Sequence, residues 1–554
     1  MCLLFLVLGS RTGSVLADIY YDSDSGPLQG QVIPGTQGIT PGPGIDLSGW
    51  NTPGHQLEYA DLRFNLAGAT FANSDLRYAM FQNTTLTNAN FTNADLTSAS
   101  VGGANFSGAI VTGAKFFNFT NLTANQLYST ASYASGNLAG IAFEANDLSG
   151  WNFASQNLTK ADFFGSNLTD TNFTGAVVNG AALDSTNFTA GQLYSTASFA
   201  SGDLTGVGFG SNLSGWNFAN QNLTSASFFS FSASNSFGSN LTGATFTGAI
   251  VKGAVFDLTN LTANQLYSTA SFANGDLTGI SLGGDDVTGW NFANQNLTQA
   301  KFNSAILTNV NLSNLNLSDA SFYSSLMTNA NLVNANLTNA FLDQAVLTNA
   351  DLANATLTNA FLGNADFTGT DLRSATGWSP AATTVTHNTI RPDGSIQGLA
   401  LMAGEKLIVR NNPIPIAVAT SATLDNAATL EFLLDANWTS PIGFSAGLNP
   451  SLAGTLDLEI ASGVDPSTLV GDSFQLFNWG GPLPARDQFS MITTEPGLNW
   501  DLSSLYSAGT VTLMAVPEPS ALLLASFGLA ATAAFASRRA LRQRLRLALA
   551  HGLN

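Results

Sequence analysis

The 554-residue sequence predicts an all-β protein: a solenoid, then a small β-rich domain, then one C-terminal transmembrane helix. Three observations carry that reading. From Leu277 a large apolar residue recurs every five positions, through Leu282, Val287, Phe292, Leu297 and Phe302 as far as Leu372, twenty in register. With 45% hydrophobic residues overall, chance gives such a run with a probability on the order of 10⁻⁷, and period five fits neither the helix nor the strand template. A second row, Ala330, Ala335, Ala340, Ala345, Ala350, Ala355, Ala360 and Ala365, stands two positions before these residues. Charged residues are only 10% of the chain, against about 25% in ordinary domains, which favours neutral ladders over salt-bridged helices.

In chain order, residues 1–17 read as a signal peptide: Leu3 to Leu8 are apolar, and Val15-Leu16-Ala17 is a small-residue cleavage pattern before Asp18. The single cysteine, Cys2, lies in this leader, so the mature chain has neither a disulfide framework nor a thiol nucleophile. Residues 18–56 read as an N-terminal linker. Residues 57–375 carry the repeat, which is already in register at Leu66, Phe71, Leu76, Phe81, Leu86 and Phe91. Units such as Ala350-Asp351-Leu352-Ala353-Asn354 resemble the pentapeptide-repeat family, with its pattern A(D/N)LXX. The resemblance implies a right-handed quadrilateral β-solenoid, with four pentapeptides per coil and both the Leu/Phe and the Ala pointing inward. A large and a small side chain share a narrow interior when both are apolar.

A longer repeat is superimposed. Gln126-Leu127-Tyr128-Ser129-Thr130-Ala131-Ser132 returns from Gln192 and from Gln265, and Gly150-Trp151-Asn152-Phe153 returns at Gly215 and Gly289. Each copy opens Thr-x-x-Gln at Thr123, Thr189 and Thr262, the capping-box spacing, which predicts a single helical turn leaving the wall. Trp151, Trp216 and Trp290 fall in the small-residue slot and predict a distorted coil. The Ser-rich stretch from Phe229 to Asn240 breaks the register and reads as a loop.

After Trp378 the period stops. Short apolar runs such as Lys406-Leu407-Ile408-Val409 and Phe474-Gln475-Leu476-Phe477 predict a β-rich domain over 380–514, covering the open coil end. Residues 516–546 hold Pro517, Glu518 and Pro519, the apolar stretch Ala521 to Ala536, and Arg538-Arg539. This resembles the PEP-CTERM sorting signal of exported bacterial proteins, and the resemblance implies an exosortase-type processing enzyme as partner. About 17 residues at 1.5 Å each just span a hydrocarbon core, so the segment is expected to contact the membrane with its arginines cytoplasmic.

No catalytic, cofactor-binding or metal-ligating residue emerges. His55, His387 and His551 are scattered, with no second ligand at metal spacing. Asp276, Asp285, Asp286, Asp351, Asp366 and Asp371 mostly occupy the Asp/Asn slot of the repeat and read as structural. The net charge is −19, and five of the 17 basic residues crowd the C-terminus, so no basic stripe exists for nucleic acid. The expectation is a non-enzymatic exported scaffold or adhesion protein, with extracellular polysaccharide or another copy of itself as partner. The alternatives are an ice- or polysaccharide-binding solenoid using the column Thr308, Thr328, Thr348, Thr368 and its neighbour Thr298, Ser318, Thr338, Thr358, and a DNA mimic that binds topoisomerases. The second fits poorly, since 36 acidic residues over 554 cannot imitate the charge density of a duplex.

The residue before each inward Leu or Phe should face solvent and is normally polar, as in Asn311, Asn331, Asp351 and Asp371. Two columns break that rule: Ile306, Leu326 and Val346 are twenty apart, and Phe341 and Phe361 stand on the adjoining face. They predict an apolar stripe, either covered by the domain that follows or used as an interface.

Overall fold

The computed structural model describes residues 18–21, 30–52, 55–118, 121–210, 212–232, 235–479 and 488–516. The expected signal peptide, the Pro-Glu-Pro segment and the apolar stretch after it therefore lie outside the described residues. The chain divides into two compact units, one holding residues up to 347 with 355–366 and 376–384, the other holding 348–354, 367–375 and the chain from 385.

In the first unit each pentapeptide makes one wall segment and one corner. The corner is a turn closed from the inward residue to the next small one, as in Ala330 N to Met327 O at 3.0 Å. Its third residue takes the left-handed conformation, φ 58° at Asn329, which asparagine and glycine tolerate best. That requirement explains the abundance of asparagine in the second position after each Leu. The asparagine before each Leu has another task. Asn336 Oδ1 accepts from Thr338 N at 3.1 Å and from Thr338 Oγ1 at 2.7 Å, fixing the corner locally.

Successive coils pair in parallel twenty residues apart, for example Asn296 with Asn316 and Asn316 with Asn336. The inward rows are sealed: Phe71, Phe81, Phe91, Leu317, Leu337, Ala320 and Ala340 have no exposed surface. Rings one coil apart stack, Phe71 on Phe91 at 5.0 Å and Phe302 on Phe322 at 5.4 Å. Outside the wall, amides form ladders such as Asn339 Nδ2 to Asp319 Oδ1 at 3.1 Å. Within residues 18–56, expected as linker, Asp46 pairs in parallel with Thr70 as a wall segment does, Tyr20 pairs antiparallel with Val32, and Ile19, Ile33 and Leu47 are buried.

The three predicted helical excursions are present, each as two short helices where one was expected: α1 Ala124–Tyr128 and α2 Ala131–Ala134, α3 Ala190–Tyr194 and α4 Ala197–Ala200, α5 Ala263–Tyr267 and α6 Ala270–Ala273. The capping boxes at Thr123, Thr189 and Thr262 are formed. The pairs fall between Lys115 and Ala142, Ala182 and Gly208, and Val255 and Ser281, which belong to one continuous ladder with two rungs between excursions. They therefore recur on one side at every third coil, about 14 Å apart.

Each pair restores the hydrogen bonds of the wall strand it replaces. Gln126 Nε2 donates to Val101 O at 2.8 Å and Ala104 O at 3.0 Å in the coil before it, and Tyr128 Oη accepts from Asn152 N at 2.5 Å in the coil after it. Trp151 and Trp216 are buried beside these excursions, Trp151 with its ring 5.9 Å from Phe143. The break expected as a loop is an antiparallel hairpin, Phe229–Ser232 with Asn235–Gly238, and Ser239 N to Phe228 O closes its base.

The second unit replaces the period of twenty with three parallel sheets visited in turn. One orders Met491–Thr494, Thr455–Ile460, Thr429–Leu434 and Lys406–Arg410; another Phe477–Asn478, Ile442–Phe444, Ile416–Val418 and Ser395–Ile396; the third Ser451–Leu452, Ala422–Leu424 and Leu399–Leu401. It is thus a second parallel coil, with its apolar core inside the three sheets. A three-stranded antiparallel sheet of Ser473–Gln475, Thr510–Met514 and Asn499–Asp501 follows. Among the described residues no helix is long and apolar enough to cross a membrane.

Asp351 and Asp371, expected to face solvent, are 9% and 1% exposed in this unit. Arg373, with no exposed surface, bonds Asp371 Oδ2 at 2.5 Å, Ser440 Oγ at 2.9 Å, Ile414 O at 3.0 Å and Arg410 O at 2.8 Å. Arg410 Nε lies 3.6 Å from Asp351 Oδ2. The carboxylates are buried because arginines of the same unit neutralise them.

Candidate interaction surface

The apolar columns stand where the period places them. Ile306 bridges Leu326, which bridges Val346, and Phe341 bridges Phe361 in the neighbouring column. Ile306, Leu326, Phe341 and Phe361 are 37%, 43%, 44% and 51% exposed, and Val346 is half-buried. The Phe341 and Phe361 rings lie 4.7 Å apart and 1° from parallel. Beside Phe341 runs a shallow groove lined by Gln299, Lys301, Asn303, Asp319 and Ser321. A polar side chain in these two columns would bond its own corner, as Asn336 does; the five apolar ones cannot, and they leave an apolar patch in a polar wall.

The neighbouring threonine column is differently employed. Thr298 and Thr338 donate their hydroxyl hydrogens to Asn296 and Asn336, so at these two positions the corner uses the donors that an ice or sugar surface would need. Asp276 and Asp286 likewise serve turns: hydrogen bonds from Thr278 and Thr288 hold both carboxyls below the usual range. His387 lies in the second unit, its Nε2 3.4 Å from Glu405.

One grouping had no signal in the sequence. Parallel register sets Glu431 beside Asp457, and Glu459 joins them with carboxylate oxygens within 4.8 Å of one another. Lys406 Nζ bonds Glu431, and Thr493 Oγ1 donates to Asp457 at 2.6 Å, so the group is already internally partnered. Burial, with the Glu431 and Asp457 charges, raises the Glu459 carboxyl. The pairing follows from coil lengths that vary, and nothing in the local sequence announces it.

The pentapeptide-repeat family model matches in eight copies between residues 56 and 376, and the PEP-CTERM protein-sorting motif matches residues 515–539. The chain carries pentapeptide repeats and a PEP-CTERM sorting motif. The motif covers Pro517, Glu518, Pro519, Arg538 and Arg539. Among solved structures the chain is similar to HetL, a pentapeptide repeat protein involved in heterocyst differentiation regulation in the cyanobacterium Nostoc, at 22% identity over 59% of this chain and 93% of that one, TM-score 0.15. It is also similar to full-length QnrB1, a plasmid-mediated fluoroquinolone resistance protein, at 12% identity over 45% and 92%, TM-score 0.17. A third is Rfr23 from the cyanobacterium Cyanothece, at 22% identity over 34% and 93%, TM-score 0.11. No curated protein matches the chain.

Proposed function

We propose that this protein is a non-enzymatic exported scaffold of the bacterial cell surface or extracellular matrix, delivered by an exosortase-type system and assembled through its apolar stripe. The sorting motif at 515–539 is the observation that carries the reading. An exosortase-type enzyme is the processing partner, and the apolar segment Ala521 to Ala536 holds the chain in the membrane until then. Self-association is favoured by the exposed ladder of Ile306, Leu326, Phe341 and Phe361, since a contiguous apolar patch on a polar wall marks an interface. Isologous pairing would bury the same patch on both copies.

Two measurements test this. Cell fractionation should find the native chain processed outside the cytoplasm, and a variant with Pro517, Glu518 and Pro519 replaced by alanine retained in the membrane fraction. A soluble cytoplasmic chain with an intact tail rejects export. Sedimentation of the mature protein should show an oligomer that the Phe341→Asp/Phe361→Asp variant loses while keeping its circular dichroism; an unchanged oligomer rejects the stripe.

A further inference from the structure

The small inward slot of the solenoid admits polar side chains that give a hydrogen bond to the backbone. Thr84 Oγ1 donates to Leu62 O at 3.2 Å, Ser166 Oγ to Phe143 O at 2.6 Å, Thr171 Oγ1 to Leu148 O at 2.8 Å, and Ser325 Oγ to Phe322 O at 2.8 Å. Gln156 in the same slot gives its amide to Tyr133 O at 3.2 Å, while its own buried oxygen has no partner. The slot is lined by acceptors and asks for a donor. Asn146 answers most fully: Nδ2 faces Phe116 O at 2.5 Å, Phe143 O at 2.9 Å and Glu144 O at 3.1 Å.

The internal duplication provides a comparison within one molecule. Asp285 follows Asn146 by 139 residues, as Gln265 follows Gln126 and Trp290 follows Trp151. Phe256 and Leu282 stand where Phe116 and Phe143 stand in the first copy: Phe256 N bonds Ser281 O at 2.9 Å, as Phe116 N bonds Ala142 O at 2.7 Å. An acid thus occupies a position built for an amide donor. Asp285 is 8% exposed, and its Oδ2 has no hydrogen-bond partner. An ionised carboxylate there would bury a charge with no counter-charge, beside the carboxylate of Asp257.

The surrounding groups make ionisation harder. From the preceding coil comes Asp257, whose Oδ1 accepts from Ser281 Oγ at 2.5 Å and Gly283 N at 2.8 Å, together with the backbone of Thr259. From the following coil comes Ala305, which carries no charge. Burial pushes the Asp285 carboxyl up to about 8, the Asp257 charge adds to the rise, and the Thr259 backbone hydrogen bond opposes it.

We propose that Asp285 is held as the neutral acid and donates its carboxyl proton to a wall carbonyl equivalent to one of the three that the amide of Asn146 serves in the first copy, so that losing this proton loosens the wall where the third helix pair rejoins it. The sign follows from proton counting. The closed wall binds one proton more than the opened one between the ordinary aspartate range and about pH 8, so its stability is complete below that range and falls as pH rises towards 8.

Hydrogen exchange of the full chain, corrected for intrinsic rates, reads this directly. Protection of the peptide covering 276–290 should fall by about tenfold per pH unit up to about pH 8, while the matching peptide 137–151 around Asn146 stays level. Asp285→Asn should abolish the slope, and Asp257→Asn should move its upper end to lower pH, because removing a negative charge eases ionisation. Infrared difference spectra at about pH 6 should contain a protonated-carboxyl band that Asp285→Asn removes. Equal slopes in both peptides, a slope that survives Asp285→Asn, or the absence of that band would overturn the proposal. If Asp285→Asn does not fold, the Asp257→Asn shift decides: an unchanged profile overturns it too.

Discussion

Arg373 carries the largest electrostatic stake of any single side chain described above. It has no exposed surface, and five acceptors (Asp371 Oδ1 and Oδ2, Ser440 Oγ, Ile414 O and Arg410 O) saturate its guanidinium. Removing it leaves the Asp371 carboxylate buried without its counter-charge, which costs about 3–5 kcal/mol. Arg373→Ala should therefore lower the denaturant midpoint of the second unit markedly. Arg63→Ala, which breaks an exposed pair with Asp61, should cost about 0–1 kcal/mol. Equal effects would show the buried network to be dispensable. The comparison also marks how far a single position is legible. The rule that the residue before each Leu faces outward locates Ile306, Leu326, Phe341 and Phe361 correctly on the surface. It fails at Asp351 and Asp371, because the arginine and carbonyls that cover them come partly from residues forty to seventy positions later in the chain.

The helix pair is a unit in which one glutamine does two jobs. Gln126 Oε1 accepts from Thr123 N at 2.8 Å to complete the capping box, and its Nε2 serves two carbonyls of the preceding coil. Thr123→Ala loses a cap worth about 1 kcal/mol. Gln126→Leu loses the cap and also strips a donor from two carbonyls: Val101 O keeps the corner bond from Ala104 N at 2.9 Å, while Ala104 O loses its donor, at about 1–3 kcal/mol if left buried and unpaired. The second variant should destabilise the first copy more, read as faster exchange in peptides around 99–108; the reverse order would mean that water replaces the amide without loss. Thr-x-x-Gln made the first helix of each pair readable. The second is capped by Thr130, Thr196 or Thr269 alone, a single hydroxyl with no reciprocal partner, and so carried half the signal. The hairpin at Phe229 was visible as Phe-Ser-Phe-Ser, the period of two of a strand, but serine-rich composition outweighed it. The second unit gave only short apolar runs, since its parallel partners are 23 residues apart between Lys406 and Thr429 and 26 between Thr429 and Thr455, too irregular for a fixed repeat to show.

At the scale of the whole solenoid, period five and period twenty do different work, and a deletion can separate them. Every position keeps its inward or outward role under a shift of five, because that is the period of the pentapeptide, while the column in which it stacks is set by twenty. Deleting Asn331 to Ala335 should therefore leave a folded solenoid with its core rows intact. Everything after the deletion, however, advances by one face. Phe341 and Phe361 stay stacked on each other but move into the column of Asn316, two faces away from Ile306 and Leu326, while Val346 comes to stand over Ser321. The apolar stripe is divided with no residue of it changed. Circular dichroism and the melting temperature should alter little, by about the few degrees that a cost near 1 kcal/mol brings in a large chain. Self-association measured by sedimentation should be lost, and deleting a full coil of twenty from the regular region before Val101 should leave it intact. An oligomer that survives the five-residue deletion would mean that a single column suffices or that the contact lies elsewhere. An unfolded product would mean that the columns themselves, through the Asn ladders outside the wall, hold the coils in place more strongly than the inward rows do.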